Sequence, residues 1–512
     1  MEILDCTLRD GGYYTRWNFS KELVNNYLRT VSKLPINNIE LGYFSNNKDD
    51  NGLFYHLNED VIFKTKKILR KNQKIYAMIN LKEISNNKEI LSILQNKGEI
   101  IDGIRFAVPH NQIEKFLSII ILIRKKFKKI KINANIMYLS KWWKNEAILK
   151  KIFTNLAGKV DAISFVDSYG SLTPKETQNF FYKAKDYFET KTKIGCHFHN
   201  NSGLALANSL IAYDNGCQII DSTFTGMGRG AGNAETELLL GILSSKNKKI
   251  SGFELNFLLE QFTELKKKLE WGSSFAYAFA AANGFSQSEM MDLIQNRRLD
   301  PGTAVKVISN KKKNLGKIEF NNIKSLKRIK NPKYPPVIIG GGSSFLDYGE
   351  FFFESLNLKT PIVLSGSRAL FNFVKLKIRI KNPTILILSG SEIKKITLNK
   401  NKNLLNDINL FGIIAEKDFF PKNLKLNKKI KLVKSNSIAL NPILLSGLAF
   451  KDLKIKNFNV AFFDGNPETE KGRIVMKETQ ESIIRLKNLG VKSQSLTNTF
   501  LNIKKINAFI HD

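Results

Sequence analysis

The chain has few cysteines, and their positions argue against a disulfide framework. Its 512 residues include three of them, Cys6, Cys196 and Cys217. Each falls inside an apolar, strand-like segment, where a thiol is normally buried and reduced. We therefore expect three free thiols, and we exclude the class of small secreted proteins that disulfides hold together.

Long hydrophobic runs are also missing. The longest lies around residues 119–123 and is far too short to span a bilayer. Glu2 and Asp5 interrupt the first apolar residues, so the chain does not open like a secretory signal. Together these absences predict a soluble, cytoplasmic protein without a membrane span.

Acidic residues are scarce relative to basic ones. The chain has 80 Lys and Arg against 46 Asp and Glu, which gives a formal net charge of +34. Such a charge can indicate nucleic-acid binding, but base-stacking motifs and an arginine-rich stripe are both absent. Lysine, asparagine, isoleucine and phenylalanine are all abundant, as an AT-biased genome would produce. We expect no specific nucleic-acid partner, although the charge would attract anionic substrates.

The first half of the chain repeats strand and helix patterns. Apolar segments rich in β-branched residues alternate with amphipathic stretches such as residues 23–34 and 113–127. Eight strands alternating with helices predict an α/β fold, a (β/α)8 TIM barrel, with a doubly wound open sheet as the alternative. The eight predicted strands are residues 2–7, 38–42, 75–79, 103–107, 130–137, 162–166, 193–199 and 218–223.

Two histidines on the seventh predicted strand indicate a metal site. His197 and His199 are two residues apart, and residues two apart on a strand point to the same side. Asp10 lies near the end of the first strand and can complete the set only if strands one and seven converge. A closed barrel separates these two strands by a single strand, whereas an open sheet would not bring them so close. The metal hypothesis therefore favours the barrel.

The texture of the sequence changes after the barrel. Helical patterns cover residues 253–269, 274–282 and 286–296, and a lysine-rich stretch that ends in prolines follows. We predict a barrel with a helical extension over residues 1–310, a basic linker over 311–336, and a second, doubly wound, Rossmann-like α/β domain over 337–512. The second domain is predicted to contain buried parallel strands at 337–339, 361–364, 384–388, 412–415, 437–440 and 460–463, and a late helix at 479–489.

A glycine-rich turn, residues 340–344, follows the first strand of the second domain. Its backbone N–H groups could meet the phosphate of a nucleotide. The turn lacks the third glycine of the dinucleotide fingerprint and the lysine of a P-loop, so a plain strand-to-helix turn fits equally well. Asp464 and Gly465, after the last strand, are similarly ambiguous. A nucleotide or phosphate ligand in this domain is therefore a hypothesis.

Four motifs in the barrel occur in an order that resembles a known superfamily. They are residues 4–12 (LDCTLRDGG), 39–42 (IELG), 197–200 (HFHN) and 226–233 (GMGRGAGN). The series resembles the metal-dependent aldolase, lyase and acyl-condensing superfamily that includes 4-hydroxy-2-oxovalerate aldolase, hydroxymethylglutaryl-CoA lyase and isopropylmalate synthase. The resemblance covers about residues 1–282. The C-terminal domain is faintly similar to hydroxymethylpterin pyrophosphokinase-like domains found near surface-glycan genes.

The resemblance implies one divalent cation, Mn²⁺ or Mg²⁺, bound by Asp10, His197 and His199. Asn233 would lie on or beside the cation, and Arg9 would stabilise an enolate. A carboxylate and two imidazoles leave open positions that a 2-oxo acid can fill with its carboxylate and ketone oxygens. The cation would act as a Lewis acid on the developing enolate oxygen, and Arg9 adds a permanent positive charge to the same oxygen.

Other residues at the predicted barrel mouth have two interpretations each. Glu40 matches a catalytic-site glutamate of some relatives, or forms structural hydrogen bonds. Arg105 binds a substrate carboxylate, or forms a salt bridge within the barrel. Asp167 is a candidate for substrate binding, and an ordinary structural role fits it as well. Arg229, in the glycine loop 228–232 that we expect to be mobile and to carry Asn233, is able to meet a charged substrate.

The residue that moves the proton departs from the family pattern. Aldolases of the family carry a catalytic histidine three residues past the motif's aspartate, and Tyr13 stands there instead. A tyrosine hydroxyl, with an ordinary pKa of about 10, is a weak base at neutral pH. His110, beyond strand four, is the alternative, although it also fits as an ordinary loop histidine. The reactive loop cysteine of hydroxymethylglutaryl-CoA lyase is absent, so the chain is expected to form a distinct subfamily.

The leading functional hypothesis is a metal-dependent aldolase or lyase that makes or breaks a C–C bond next to a 2-oxo acid through a metal-bound enolate. Its partners would be a small 2-oxo acid and an aldehyde. The first alternative is a Claisen-type condensing acyltransferase that uses an acyl-CoA donor. The second is a bifunctional or scaffold protein of surface-glycan assembly. A non-haem iron oxygenase shares two histidines and one carboxylate but is disfavoured by the βα repeat. A homo-oligomer is also expected.

Overall fold

The computed structural model describes residues 1–47, 50–187, 191–245, 253–296, 299–312, 318–329, 332–390, 392–393, 408–419, 429–435, 441–468 and 470–506. The chain divides into two units, Met1–Met291 and Asp292–Asp512. Among the described residues, no helix is both long enough and apolar enough to cross a bilayer.

The first unit is built on a closed barrel. Within the described residues, eight parallel strands follow one another around the barrel in sequence order, and β1 (Glu2–Asp5) pairs with β8 (Ile219–Ser222) to close it. The predicted (β/α)8 barrel is therefore confirmed. The strands between these two are β2 (Asn38–Tyr43), β3 (Lys74–Asn80), β4 (Gly103–Pro109), β5 (Lys131–Met137), β6 (Ala162–Asp167) and β7 (Lys193–Phe198).

Helices surround the barrel and bury the apolar faces that the sequence predicts. Leu23, Tyr27 and Val31 lie on the buried side of α3, whose N-terminus is capped by the Ser20 hydroxyl. The helices of this unit are α1 (Thr7–Asp10), α2 (Gly12–Thr15), α3 (Lys21–Lys33), α4 (Glu59–Ile68), α5 (Glu89–Ile93), α6 (Ile113–Lys126), α7 (Leu139–Trp142), α8 (Glu146–Leu156), α9 (Pro174–Ala184), α10 (Ala205–Asp214), α11 (Thr236–Ser244), α12 (Phe253–Leu269), α13 (Phe275–Ala282) and α14 (Gln287–Met291).

The chain turns sharply after β1, two residues earlier than the sequence predicts. The Asp5 carboxylate accepts hydrogen bonds from the backbone N–H of Thr7 at 3.0 Å, from the Tyr27 hydroxyl at 2.6 Å and from the Thr236 hydroxyl at 2.7 Å. These contacts end the strand and begin α1. Arg9 and Asp10 consequently lie on a helical turn above the carboxyl end of the strand and not on the strand itself.

The second unit is an α/β sheet with apolar packing on both faces. Its described strands lie in the order β16-β15-β10-β11-β12-β13-β14-β9, and neighbours are parallel except β14 and β9. Ile338 packs on one face of β10, while Val337 and Ile339 pack on the other. The predicted doubly wound α/β fold is confirmed. The strands are β9 (Phe320–Asn321), β10 (Val337–Ile339), β11 (Ile362–Ser365), β12 (Ile380–Leu388), β13 (Ile408–Glu416), β14 (Lys431–Ser435), β15 (Asn457–Ala461) and β16 (Lys492–Ser495).

The helices of the second unit include the predicted late helix. The predicted late helix is the C-terminal part of α19 (Glu470–Asn488), which starts nine residues before the predicted start at residue 479. In chain order, the helices of the second unit are α15 (Pro301–Lys312), α16 (Ser344–Ser355), α17 (Gly366–Leu376), α18 (Pro442–Asp452) and α19. The strand predicted at residues 437–440 lies outside the described residues, and the strand found beside β13 is β14, which precedes it.

The predicted linker over residues 311–336 differs from the structure. β9 lies inside that range and pairs antiparallel with β14. Leu326 is buried against the second sheet, close to Gly412. The lysines of this stretch obscured its apolar positions, which recur every third residue at Ile323, Leu326 and Ile329 and belong to the core of the second unit. The boundary between the units accordingly falls after Met291 and not after residue 310.

The hydrogen bond between Tyr27 and Asp5 should contribute measurably to barrel stability. We expect Tyr27→Phe to lower the free energy of unfolding of the barrel by about 1–3 kcal/mol, because a buried carboxylate loses a donor. Urea unfolding followed by tryptophan fluorescence reports on the barrel alone, since all four tryptophans lie in the first unit. Tyr182→Phe is the control, because that ring is 71% exposed. Equal unfolding midpoints for the two variants would contradict the assignment.

Candidate functional site

Asp10 lies buried at the carboxyl end of the barrel, between two hydrogen-bond donors. One carboxylate oxygen accepts from Arg9 Nη1 at 2.5 Å, and the other accepts from Asn233 Nδ2 at 2.5 Å. Burial raises the pKa of Asp10, but Arg9, the two nearby histidines and Asn233 together hold it below the usual value of an aspartate. Asp10 is therefore an anion at neutral pH.

His197 and His199 meet Asp10 as the spacing predicts. The two rings lie 5.0 Å apart, and Nε2 of His197 is 3.9 Å from Asp10 Oδ2. One ligand atom from each of the three side chains lies within 4.8 Å of the other two. Burial lowers the pKa of His199 well below that of a free imidazole, which leaves its ring neutral. An anionic carboxylate beside a neutral imidazole is the protonation state that a divalent cation requires.

Asn233 also faces this cluster. It forms an isolated antiparallel bridge with His199, and its Oδ1 is buried without a hydrogen-bond partner among the described residues. An orphaned buried carbonyl oxygen beside two imidazoles and a carboxylate suits a cation that coordinates oxygen and nitrogen. The donor set therefore fits the predicted metal, with Asp10, His197 and His199 as ligands and Asn233 next to them.

The glycine loop before Asn233 is tied to its surroundings. Tyr14 donates its hydroxyl to the carbonyl of Gly230 at 2.7 Å, and the backbone N–H of Asn200 donates to the carbonyl of Gly232 at 2.8 Å. A Cβ atom at Gly228 would lie 2.3 Å from Asn233 Nδ2 and 2.7 Å from Asp10 Oδ2. Glycine is required at 228 because the backbone passes directly against the ligand cluster.

A buried chain of alternating charges holds Arg9 and His197 in place. Glu40 Oε2 accepts from Arg9 Nε at 2.7 Å and from Arg105 Nη1 at 3.2 Å. Arg105 Nη2 donates to Asp221 Oδ2 at 2.5 Å, and that oxygen lies 2.9 Å from Nδ1 of His197. Asp221 thus fixes the ring so that Nε2 faces Asp10. Sequence reasoning missed Asp221, although an aspartate within the apolar β8 was a visible signal.

The structure places Arg105, which has two interpretations from the sequence, inside the barrel. Its side chain is fully buried, and both Nη atoms are engaged by Glu40 and Asp221. Arg105 is absent from the residues that line the cavity above the cluster. The alternative interpretation, a salt bridge within the barrel, agrees with the structure. Glu40 likewise lies beneath the cavity, where it orients Arg9.

A small cavity of about 120 Å³ opens above the candidate metal ligands. It is far smaller than the roughly 300–1,000 Å³ of pockets for drug-sized ligands. Polar and charged side chains from several strand ends and loops dominate its wall. The lining residues are Arg9, Asp10, Tyr13, Tyr43, Met78, Asn80, Lys82, Ala107, Pro109, Asn135, Met137, Tyr138, Val166, His197, His199 and Arg229.

Tyr13 and Arg229, both singled out from the sequence, meet at this cavity. The Arg229 guanidinium lies over the Tyr13 ring, 5.1 Å from its centroid. The hydroxyl groups of Tyr13 and Tyr43 are 3.3 Å apart. Lys82, Asn135 and Tyr138 also line the cavity, and sequence reasoning missed all three because no local motif marks them.

Two other predicted site residues lie outside the cavity lining. Asp167 is buried at the end of β6 and accepts from the backbone N–H of Leu172 at 2.9 Å, which fixes the following loop. Burial raises the pKa of this carboxyl group. His110 follows β4 with its ring 6.1 Å from that of Trp142. Neither residue is brought together with Asp10 and the two histidines by the structure.

The glycine turn of the second unit follows β10, where the strand order of the sheet reverses, and lies beside the end of β15. The Asp464 carboxylate accepts from the backbone N–H of Ser344 at 2.8 Å and from the Ser344 hydroxyl at 2.5 Å. This carboxylate occupies the position at the start of α16 that a phosphate takes in nucleotide-binding turns. The turn and Asp464 therefore form one structural unit.

Comparison with known proteins connects the barrel to one family. A family model described as HMGL-like matches residues 110–267. The N-terminal domain of a candidate aldolase from Bacteroides vulgatus has a solved structure that is 34% identical, with a TM-score of 0.52, over 57% of this chain and 96% of that one. The 4-hydroxy-2-oxovalerate aldolase of Geobacillus genomosp. 3 is 27% identical over 248 residues, 48% of this chain and 70% of that protein. The oxaloacetate decarboxylase of Mycobacterium tuberculosis is 23% identical over 252 residues, with coverage of 48% and 70%.

Asp221 should tune the affinity of the site for metal. We expect Asp221→Asn to weaken Mn²⁺ binding by about 10- to 100-fold, because the His197 ring loses the carboxylate that orients it. Isothermal titration of the full chain with Mn²⁺ measures the change, and His197→Ala should abolish binding. Asp214→Asn, on the exposed end of α10, is the control and should bind like wild type. An Asp10→Asn variant with unchanged Mn²⁺ affinity would refute the ligand assignment.

Proposed function

Because the barrel of this chain belongs to the HMGL-like family, we propose that the protein is a divalent-metal-dependent aldolase-like lyase that acts on a 2-oxo acid. In the cleavage direction, the hydroxyl group on C4 of a 4-hydroxy-2-oxo acid loses its proton and the C3–C4 bond breaks. The products are an aldehyde and the enolate of the shorter 2-oxo acid, which takes up a proton at C3. The observation that carries the proposal is the convergence of Asp10, His197, His199 and Arg9 at one small cavity.

Arg9 supplies the charge that an enolate needs. Its Nε and Nη1 groups are engaged by Glu40 and Asp10, and the guanidinium still lines the cavity. A pre-positioned cation in a site with little water stabilises negative charge that develops on an oxygen during the reaction. Mn²⁺ or Mg²⁺, held by Asp10 and the two histidines, would act as a Lewis acid when bound.

The size of the cavity favours an aldol reaction over acyl transfer from a CoA thioester. A volume of about 120 Å³ suits a 2-oxo acid of a few carbons. The condensing alternative requires a second, much larger substrate at the same site. A nucleotide or phosphate ligand in the second unit remains a prediction, since Asp464 already takes the anion position at the glycine turn.

Tyr13 is the residue that we propose to move the proton. It lines the cavity, and its hydroxyl group is paired with that of Tyr43. His110, the other candidate from the sequence, lies outside the lining. Proton transfer by a positioned side chain typically contributes about 10²- to 10⁴-fold to the rate.

Arg9 can be tested through oxaloacetate, which loses CO2 to give the enolate of pyruvate without proton abstraction from carbon. We expect Arg9→Gln to lower kcat for Mn²⁺-dependent decarboxylation by about 10²- to 10³-fold. A coupled assay for pyruvate measures the rate. Arg29→Gln, on the exposed side of α3, is the matched control. Wild-type protein that neither decarboxylates oxaloacetate nor exchanges the C3 protons of pyruvate would overturn the proposed function.

Tyr13 can be separated from Arg9 by the reaction that is followed. Exchange of pyruvate C3 protons with ²H2O requires a base, whereas oxaloacetate decarboxylation does not. We therefore expect Tyr13→Phe to lower the exchange rate, measured by proton NMR, by at least about 100-fold. The same substitution should lower the decarboxylation rate far less. His110→Gln is the comparison variant. If it loses exchange while Tyr13→Phe retains it, His110 and not Tyr13 moves the proton.

A further inference from the structure

Two of the cations that line the cavity, Lys82 and Arg229, lack among the described residues the carboxylate partners that the two buried arginines near it have. Arg9 and Arg105 each pair with carboxylates. Lys82 Nζ instead donates to a neutral phenol, the Tyr138 hydroxyl, at 3.0 Å. Arg229 lies over an aromatic ring, and its Nε is buried with no hydrogen-bond partner in the described part of the chain. Neither Lys82 nor Arg229 forms an ion pair with a carboxylate of the described residues.

The charges of the cavity wall do not balance. Asp10 is the one carboxylate among the described lining residues, and Arg9 is already paired with it. Lys82 and Arg229 therefore leave two positive charges at the wall. The carboxylate of the first 2-oxo acid would bind beside the candidate metal ligands. It would therefore not neutralise Lys82 and Arg229. Guanidinium and ammonium groups in such a position are suited to bind a further anion.

Two further polar side chains that line the cavity, Asn135 and Tyr138, could form hydrogen bonds with a ligand. Asn135 is 2% exposed, lines the cavity, and its Oδ1 has no partner among the described residues. Tyr138 has a left-handed backbone with φ of 65°, a strained conformation for an aromatic residue. The backbone N–H of Tyr138 donates to the Ser168 hydroxyl oxygen at 3.1 Å, and Lys82 Nζ donates to the phenol oxygen of Tyr138. These two contacts hold the strained Tyr138 in a position where it lines the cavity.

We propose that the second substrate is a small aldehyde or 2-oxo acid that carries its own carboxylate, bound by Lys82 and Arg229. The Tyr138 hydroxyl accepts from Lys82 and keeps its own proton for the carbonyl oxygen of this electrophile. The Asn135 Oδ1 accepts from the hydroxyl group of the aldol product. This inference rests on the proposed function and adds to it the chemical class of the electrophile.

The test compares aldehydes of matched length that differ in charge. Full-length, Mn²⁺-loaded protein is assayed for condensation of pyruvate with glyoxylate against glycolaldehyde, and with succinic semialdehyde against butyraldehyde. We expect wild type to favour the anionic member of each pair by about 10- to 100-fold in kcat/KM, the range of one hydrogen bond to a charged group. The ratio is taken within each variant, so a general loss of activity cancels.

Substitutions then assign the preference to the two cations. Lys82→Met and Arg229→Met should each lower the ratio by about tenfold, mainly through KM for the anionic aldehyde, while Lys82→Arg should retain it. Lys151→Met, at an exposed ion pair with Glu114, is the control.

Three outcomes would overturn the inference. The first is a wild type that exchanges pyruvate protons but accepts neither anionic aldehyde, or accepts neutral ones equally well. The second is a ratio that survives both substitutions. The third is a loss that appears in KM for pyruvate and not for the aldehyde, because the cations would then bind the first substrate. Absence of pyruvate exchange in wild type would instead remove the proposed function itself.

Discussion

The candidate site depends on a buried chain of alternating charges that runs from Arg9 through Glu40, Arg105 and Asp221 to His197. Each member is almost inaccessible to water and touches a partner of opposite charge or, at His197, an orienting carboxylate. Charges in such a place are tolerable only as a complete set, since removing one partner of a buried ion pair typically costs about 3–5 kcal/mol. The same network therefore fixes both Arg9 and His197, which face the cavity, although the two residues are far apart in the sequence.

Barrel closure makes that network possible. Glu40 comes from β2, Arg105 from β4 and Asp221 from β8, and side chains of parallel strands that point inward meet at the axis of the barrel. The network joins the region of Arg9, just above β1, to His197, the candidate metal ligand on β7. In an open sheet the same residues would lie at separate positions along an edge. The charges thus specify the closed arrangement as much as the arrangement brings the charges together.

The fold and the ligand cluster follow from local patterns in the sequence, whereas the rest of the site does not. The alternation of eight strands with helices predicts the barrel. The two-residue spacing of His197 and His199 predicts that both side chains lie on the same side of the seventh strand. Two interpretations of Arg105 stay open in the sequence, because a cation near a strand end can point to the cavity or to the barrel axis and periodicity does not distinguish the two. Lys82 and Tyr138 come from loops after β3 and β5 without any motif. Only the folded chain shows that they meet.

The close passage of the backbone at Gly228 has a consequence for how substitutions there would be interpreted. A methyl group at this position would lie 2.3 Å from Asn233 Nδ2 and 2.7 Å from Asp10 Oδ2, so it would displace the hydrogen-bonded pair beside the candidate metal ligands. A variant at 228 would then resemble a loss of ligand, although the residue offers no ligand atom. The position of the Asp10 carboxylate thus depends partly on the main chain at residue 228, which itself carries no functional group.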